Sequence, residues 1–279
     1  SSDLIICTDG RPLEEVVVAA LRERGKRLAV AESCTGGLLA GRHQWSASVF
    51  RAINDNEILF VASEQSGFGY FRNFGQTRRQ GLELSLSGAI NSEWSYGVHY
   101  NWLQATYQSD ETVAGNSNSS NNAGPGLEGN IAIKPGDRIP MTPSQMLKLQ
   151  VGWKPNAQWR LGLDMQAVGR SIARGNENNA HEADGTYYSG AGHNPGYAVF
   201  NLSGQYALQP GWTLTGRINN VFDTRYTTAA VLSPNAFNGN ALVARPFAAV
   251  DGNYPLRHGT FYAPGAPRNV WVGVRYAFR

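Results

Sequence analysis

Along most of this chain, apolar and polar residues change places at every second position. In "GLELSLSGAI", Leu82, Leu84 and Leu86 alternate with Glu83, Ser85 and Ser87. In "EWSYGVHYNW", Trp94, Tyr96, Val98, Tyr100 and Trp102 share one face, with Ser95, Gly97, His99 and Asn101 on the other. "QMLKLQVGW", "QWRLGLDMQA" and "NVWVGVRYAF" repeat the pattern at 145–153, 158–167 and 269–278. Period two belongs to the β-strand, whose successive side chains leave on opposite faces, so each segment is a strand with one apolar and one polar face.

A soluble β-sandwich would alternate in the same way, and the gaps between strands decide the matter. About nine strands are expected, with gaps that alternate in length. Short gaps fall near Asn54–Asn56, Asn91–Glu93, Pro155–Gln158 and Leu208–Gly211; long ones near Gln65–Thr77, Ser109–Thr142, Ser171–Pro195 and Ala229–Pro267. Tight turns at one end and long loops at the other are the signature of a transmembrane barrel. Trp94, Trp102, Trp153, Trp159 and Trp212, near strand ends, suit interfacial girdles. The expected fold is therefore mainly β, a partial antiparallel transmembrane barrel with a short N-terminal α/β fragment.

Composition agrees. Charged residues are 16% of the chain and aromatic residues 11%, unlike a disordered segment. The net charge of +3 is spread without a Lys/Arg run, so no nucleic-acid partner is expected. No apolar run is long enough for a transmembrane helix, a test to which barrel strands are blind. No basic region followed by an apolar core and a small-residue cleavage site opens the sequence, so no signal peptide is expected in it. Cys7 and Cys34 are the two cysteines, and the barrel-like part has none.

The first forty residues are written differently. Asp9 is a candidate N-cap, Pro12 suits a first turn, and Leu13, Val16, Val17, Ala20 and Leu21 make one helical face that Gly25 ends. A short strand, "LAVA", then runs into "ESCTGG", which reads as a turn into a second helix with Ser33 and Thr35 at its mouth. Neither a nucleophile elbow nor a phosphate loop fits these residues. "LRERGKRLAVAESCTGGLLAGR" resembles the start of the C-terminal domain of the CinA family of nicotinamide-nucleotide amidases. The resemblance runs from about residue 10 to 42 and implies Ser33 as nucleophile, with Thr35 lining the site. The family's following Pro-Gly-Ser segment and its activating Tyr and Lys are replaced by "HQWSASVFRAIND". A serine without a neighbouring base is a weak nucleophile, so Ser33 and Thr35 are vestigial and no catalysis is expected.

The rest of the chain resembles the C-terminal barrel of TonB-dependent outer-membrane receptors. The resemblance rests on "FRNFGQTRRQGLELSLSG", "GDRIPMTPSQMLKLQVGW", "GYAVFNLSGQYAL", "WTLTGRINNVFDTRYTT" and "YAPGAPRNVWVGVRYAF". It implies a place in the cell outer membrane, lipid contact, uptake of a scarce ligand such as a ferric siderophore, and energy from the TonB system. No cofactor is implied. The segments that contact TonB and form the plug have no counterpart in these residues. The long loops would meet ligand: Arg174, His181, Tyr187, Tyr188 and His193 in one, Arg245, Arg257, His258 and Tyr262 in another. Arginine and tyrosine suit an anionic iron chelate. "RGNENNAHEADG" is not read as a metal site, because His181 and Glu182 lack a spaced partner set. Asp223 and Arg225 fix register or form a lumen ion pair.

Residues 1–42 and 43–279 thus read as two pieces, an amidase-domain fragment and a receptor barrel portion, joined near Arg42–Trp45. Nine strands would leave the first and last parallel and place residues 1–42 outside the cell.

Overall fold

The computed structural model describes residues 28–29, 33–39, 43–62 and 69–278. Nine longer strands form one sheet: β1 (Ser33–Leu39), β2 (His43–Ala62), β3 (Gly69–Ala89), β4 (Trp94–Tyr107), β5 (Gln145–Trp153), β6 (Trp159–Val168), β7 (Tyr197–Gln209), β8 (Trp212–Asn219) and β9 (Asn269–Tyr276). Each pairs antiparallel with the next, and the two-residue strand Leu28–Ala29 pairs beside β1 on the same edge of β2. Among the described residues there is no helix, and the sheet does not close on itself.

Register turns the sequence alternation into two faces. One row across the sheet reads Ser48, Glu83, Asn101, Met146, Val168, Tyr197; another reads Gln150, Asp164, Asn201. The opposite face carries Trp45, Leu86, Val98, Leu149, Met165, Phe200, and below them Tyr96, Val151, Leu163, Leu202, Ile218, Val270. On this apolar face Val270 and Val272 are 64% and 69% exposed, and Val49, Leu163 and Leu202 are also open. An apolar surface this continuous is unstable in water and is satisfied by lipid, which removes about 1.5–3 kcal/mol of exposure cost per aliphatic side chain.

Three tight turns lie at one end, 90–93, 154–158 and 210–211. Beside them Trp94 stacks on Trp153 at 5.2 Å, Trp159 packs on Tyr206 at 4.7 Å, and Trp212 on Tyr276 at 4.8 Å. Trp102, eight residues up β4, marks the other boundary. That spacing is about 26 Å along the strand, or about 20 Å along the normal at a usual tilt, on the order of a bilayer's apolar band.

Two sequence expectations fail together in β2 and β3. No chain reversal occurs at Asn54–Asn56, and 69–77 is strand; the two strands form one hairpin of 20 and 21 residues. Its upper half rises past the top of β4 at the Thr77–Tyr107 pair. Asn56 has φ of 55°, so the Asn-Asp-Asn signal marks a real left-handed residue, but one that kinks a strand and does not end it. The kink also shifts the alternation. Glu57 and Phe74 should share the apolar face by simple counting, yet Glu57 pairs with Arg79 and Thr77, and Phe74 packs on Tyr107, all on the polar side. Strict period two therefore broke where the strand was continuous.

Topology changes accordingly. The sheet has nine long strands, but the ninth is β1: from His43 to Tyr276 there are eight, and His43, paired with Gly88, starts at the tight-turn end. The expected start of this strand on the loop side is overturned: β1 descends beside β2 from the Ser33–Ser48 pair and ends next to the tight turns, where Leu39 pairs with His43; residues 1–27 lie outside the described residues. β1 and β9 run in the same direction. Ser33 and Thr35 do not stand at a helix mouth: they lie in β1, at register with Ser48 and Ser46. An open strand edge offers a row of unpaired N–H and C=O groups, and β1 takes them up along β2. The helix expected over Leu13–Leu21 lies outside the described residues.

Candidate functional site

The three long connections, 108–144, 169–196 and 220–268, lie together at the end of the wall opposite the tight turns. They are built, not loose. Glu111–Ala114 pairs with Asn130–Ile133, and Val113, Ile131 and Ile133 bury against Val61, Phe74 and Tyr107 of the rising hairpin. Arg72 meets Glu111 at 2.5 Å while the Gly75 N–H donates to the same carboxylate, so the hairpin and first loop are tied. The second and third loops share a sheet: Tyr188–Ser189 runs parallel to His258–Gly259, which pairs in turn with Thr227–Pro234.

A buried aromatic stack joins all three loops. Tyr188, 2% exposed, lies flat on His258, 0% exposed, at 5.3 Å, and His181 meets its edge at 5.8 Å. The Gly126 N–H donates to Tyr188 Oη at 3.0 Å, and His258 Nε2 donates to the Gly126 carbonyl at 3.3 Å. With that proton on Nε2, His258 Nδ1 accepts from Ser117 Oγ at 2.9 Å. His181 Nδ1 accepts the Ser119 N–H at 3.1 Å, and its Nε2 is buried with no hydrogen-bond partner. Both imidazoles are held below the ordinary histidine pKa, chiefly by burial; for His181 the Gly190 backbone and Asp184 oppose this, and for His258 the Gly126 carbonyl does. They are neutral hubs of a loop clasp.

Asparagines supply the second set of ties. Asn118 Nδ2 donates to the Gly175 carbonyl at 2.9 Å, Asn176 Nδ2 to the Gly192 carbonyl at 3.0 Å, and Asn179 exchanges bonds with the Arg138 backbone. Short amide side chains can satisfy both a backbone donor and a backbone acceptor, which is why such loops are rich in them. Glu177 is buried beside them. Its pKa is raised chiefly by burial, with the Gly175 N–H and the Arg174 charge opposing, and Oε2 has no hydrogen-bond partner.

The nine loop residues singled out in the sequence therefore divide. His181, Tyr188 and His258 converge, but inside the clasp. Arg174 lays its guanidinium over the Phe60 ring at 4.7 Å, and Tyr187 packs on Phe247 at 4.6 Å. His193 bonds locally to the Ala191 carbonyl. Arg257 is half-buried, and its backbone carbonyl accepts from Asn235. Arg245 is exposed, bonded to the Tyr254 carbonyl and set over that ring, and Tyr262 is exposed on its strand. Sequence reasoning passed over Ser117 and Asn118, for which the Asn/Ser/Gly density of 115–126 was the signal, and met Asn176 and Glu177 only within the "RGNENNAHEADG" stretch that it rejected as a metal site. Asp223 does not form an ion pair among the described residues: its Oδ1 accepts the Arg268 N–H at 2.9 Å, latching the turn after β8 to the start of β9. No group of three potential metal-ligating side chains occurs among the described residues.

Beneath the loops, the polar face of β2 to β5 forms a concave surface of about 750 Å³ with Ser46, Glu83, His99, Asn101, Lys148 and Gln150 on its floor.

Comparison with known proteins matches this layout. The pattern of the family described as "TonB dependent receptor-like, beta-barrel" fits residues 35–221, and that of the CinA C-terminal domain fits residues 10–47. The metal-pseudopaline receptor CntO of Pseudomonas aeruginosa is 23% identical over 189 residues, 68% of this chain and 22% of the receptor. A CinA-like protein of Geobacter metallireducens is 50% identical over 92 residues, 32% of this chain and 20% of that protein. Among solved structures, the closed form of the Escherichia coli ferric-catecholate import receptor Fiu superposes with a TM-score of 0.52 at 19% identity, covering 86% of this chain and 26% of Fiu. The ferric yersiniabactin uptake receptor FyuA of Yersinia pestis gives 0.55 at 15% identity, covering 86% and 28%. The chain thus spans about a fifth of the curated relatives and about a quarter of the solved ones.

Proposed function

Since the chain belongs to the TonB-dependent receptor-like β-barrel family, we propose that it supplies the wall and ligand-meeting loops of an outer-membrane receptor importing a ferric siderophore. The observation that carries this reading is the clasped loop cluster standing at one end of a wall whose apolar face is open and whose polar face is concave. A ligand arriving from outside meets ordered loops first and the polar face next. Arg245, Arg257 and Tyr262 are the proposed contacts, with Arg174, Tyr187 and His193 behind them; a guanidinium pairs with the anionic oxygens of an iron chelate. His181, Tyr188 and His258 act as positioning residues that fix the loops. The energy-coupling partner is the TonB system, and the site of action is the outer membrane.

Binding is tested by tryptophan fluorescence of the chain in detergent micelles, titrated with a ferric catecholate, a ferric hydroxamate and ferric citrate. Saturable quenching by one of them, weakened about tenfold in Arg245→Gln, supports the reading. Quenching by none, with strand content intact, removes it.

Catalysis is not part of the proposal. Ser33 and Thr35 lie on β1, in a segment whose match to the CinA C-terminal domain covers only residues 10–47. Deamidation of nicotinamide mononucleotide, lost in Ser33→Ala, would reverse that view. The boundary near Arg42–Trp45 is proposed as a seam between two coding histories; the two family matches overlap across it, at 35–47. A single uninterrupted sequencing read across the junction in source DNA decides whether the join is real.

A further inference from the structure

A second cavity, about 620 Å³, lies where the wall meets the loops, apart from all nine loop residues discussed above. It is bounded by the start of β7, the turn that follows β8 and the segment that leads into β9. Tyr197 and Tyr226 form its aromatic wall, their rings 4.5 Å apart and inclined by 34°. Pro264, Pro267, Thr224 and Arg225 also line it.

Its frame is stiff. Asn220 and Asp223 both hold left-handed backbone, with φ of 51° and 52°. Asn220 Nδ2 donates to the Thr224 carbonyl at 2.9 Å and to the Ala266 carbonyl at 3.1 Å, and the Gly265 N–H donates to the Tyr226 carbonyl at 2.8 Å. The "NNVFDTRY" and "PGAPRN" segments are thus bolted to each other across the cavity. Such a site needs little ordering when a ligand enters, which favours binding.

The charge pattern is one-sided in its availability. Asp223 also lines the cavity, but its Oδ1 is engaged by the Arg268 N–H. Arg225 is exposed and forms no hydrogen bond or ion pair among the described residues. A preformed slot with two tyrosine rings and one unspent guanidinium selects a flat ring that carries a negative charge. We propose that this cavity binds a small planar anion of the aromatic carboxylate class, with the ring against Tyr197 and Tyr226 and the carboxylate on Arg225. Ring stacking and a charge-assisted, two-point hydrogen bond supply the two halves of recognition. Tyr197 lies in the same row as Glu83 and Asn101, so an occupant sits at the mouth of the polar face.

The test uses the full chain in detergent micelles and ligand-observed saturation-transfer NMR with sodium benzoate. Benzamide, without charge, and cyclohexanecarboxylate, without a π face, serve as controls. Benzoate is expected to bind about tenfold more tightly than either control. Arg225→Gln and, independently, Tyr197→Leu should each abolish that preference while the circular dichroism of the wall is unchanged, and Arg245→Gln should leave it intact. Benzoate binding no better than the controls, or a preference surviving both cavity variants, overturns the proposal. Neither result bears on ferric-chelate binding, which is read separately by quenching in Arg245→Gln.

Discussion

Acid should open the loop clasp, and the histidines set the size of the effect. In the folded loops His181 uses Nδ1 as an acceptor for the Ser119 N–H, so a proton there destroys the bond and creates a buried cation. His258 uses Nδ1 to accept from Ser117 and spends its Nε2 proton on Gly126. Both folded pKa values lie below the ordinary histidine value of 6.5, mainly through burial. Near pH 7.5 the imidazoles are neutral in both clasped and opened loops, and pH contributes nothing. Below 6.5 the opened loops take up protons that the clasped loops resist, so the clasp weakens as pH falls until the folded imidazoles titrate. From pH 6.5 to 5.0 the loss is at most about 2 kcal/mol per histidine, or about 4 kcal/mol for the pair.

Hydrogen exchange at the Ser119 and Gly126 amides, corrected for intrinsic rates, reads the opening directly. Protection should fall steeply between pH 6.5 and 5.0. His258→Gln, which keeps a donor and an acceptor but cannot titrate, should halve the slope. Protection at both amides that stays flat over this range would refute the neutral-clasp argument.

Other consequences are sharper still. Val272→Lys puts a charge on the open apolar face and should cost about 2–4 kcal/mol in lipid, whereas Thr215→Lys, on the polar face, should leave refolding yield in bilayers nearly unchanged. Phe74→Ala empties the core beneath the first loop and should cost about 3–5 kcal/mol in urea unfolding. Arg72→Ala removes a partly exposed ion pair with Glu111, a hydrogen bond to the Thr112 carbonyl and a guanidinium over the Phe74 ring, and should cost about 1–2 kcal/mol, well below Phe74→Ala. Asn220→Ala loses the bolt between the turn after β8 and the approach to β9, about 2–4 kcal/mol for three side-chain hydrogen bonds, to the Thr224 carbonyl, the Ala266 carbonyl and the Thr224 N–H, at a left-handed residue. Faster proteolysis within 220–268 is its signature.

What the sequence disclosed follows from how local each signal is. Leu82, Leu84 and Leu86 announce their face because the strand geometry itself repeats every two residues, and lipid on one side lets the pattern persist. The tight turns at 90–93, 154–158 and 210–211 were equally plain, since Asn91, Asn156 and Gly211 satisfy turn backbone within a few residues. Asn54-Asp55-Asn56 misled for the opposite reason: the same residues that close a turn can kink a strand, and only the partner strand decides. Tyr188, His258 and Ser117 are 70 and 141 residues apart in the chain, and nothing in their neighbourhoods says that they touch. They were chosen as loop residues with useful chemistry, and the fold spends that chemistry on holding loops together. Tyr197 and Tyr226 were missed because each belongs to a segment that reads as framework.

The central claim is that β2 to β9 cross a bilayer with one face to lipid. Single cysteines at Val151, Leu163 and Leu202 on the apolar face, and at Gln150, Asp164 and Asn201 on the polar face, test it in a Cys7→Ser, Cys34→Ser background. With nitroxide labels in liposomes, the first three should show high accessibility to oxygen and low accessibility to an aqueous nickel chelate, and the second three the reverse. Equal chelate accessibility on both faces would contradict a membrane wall.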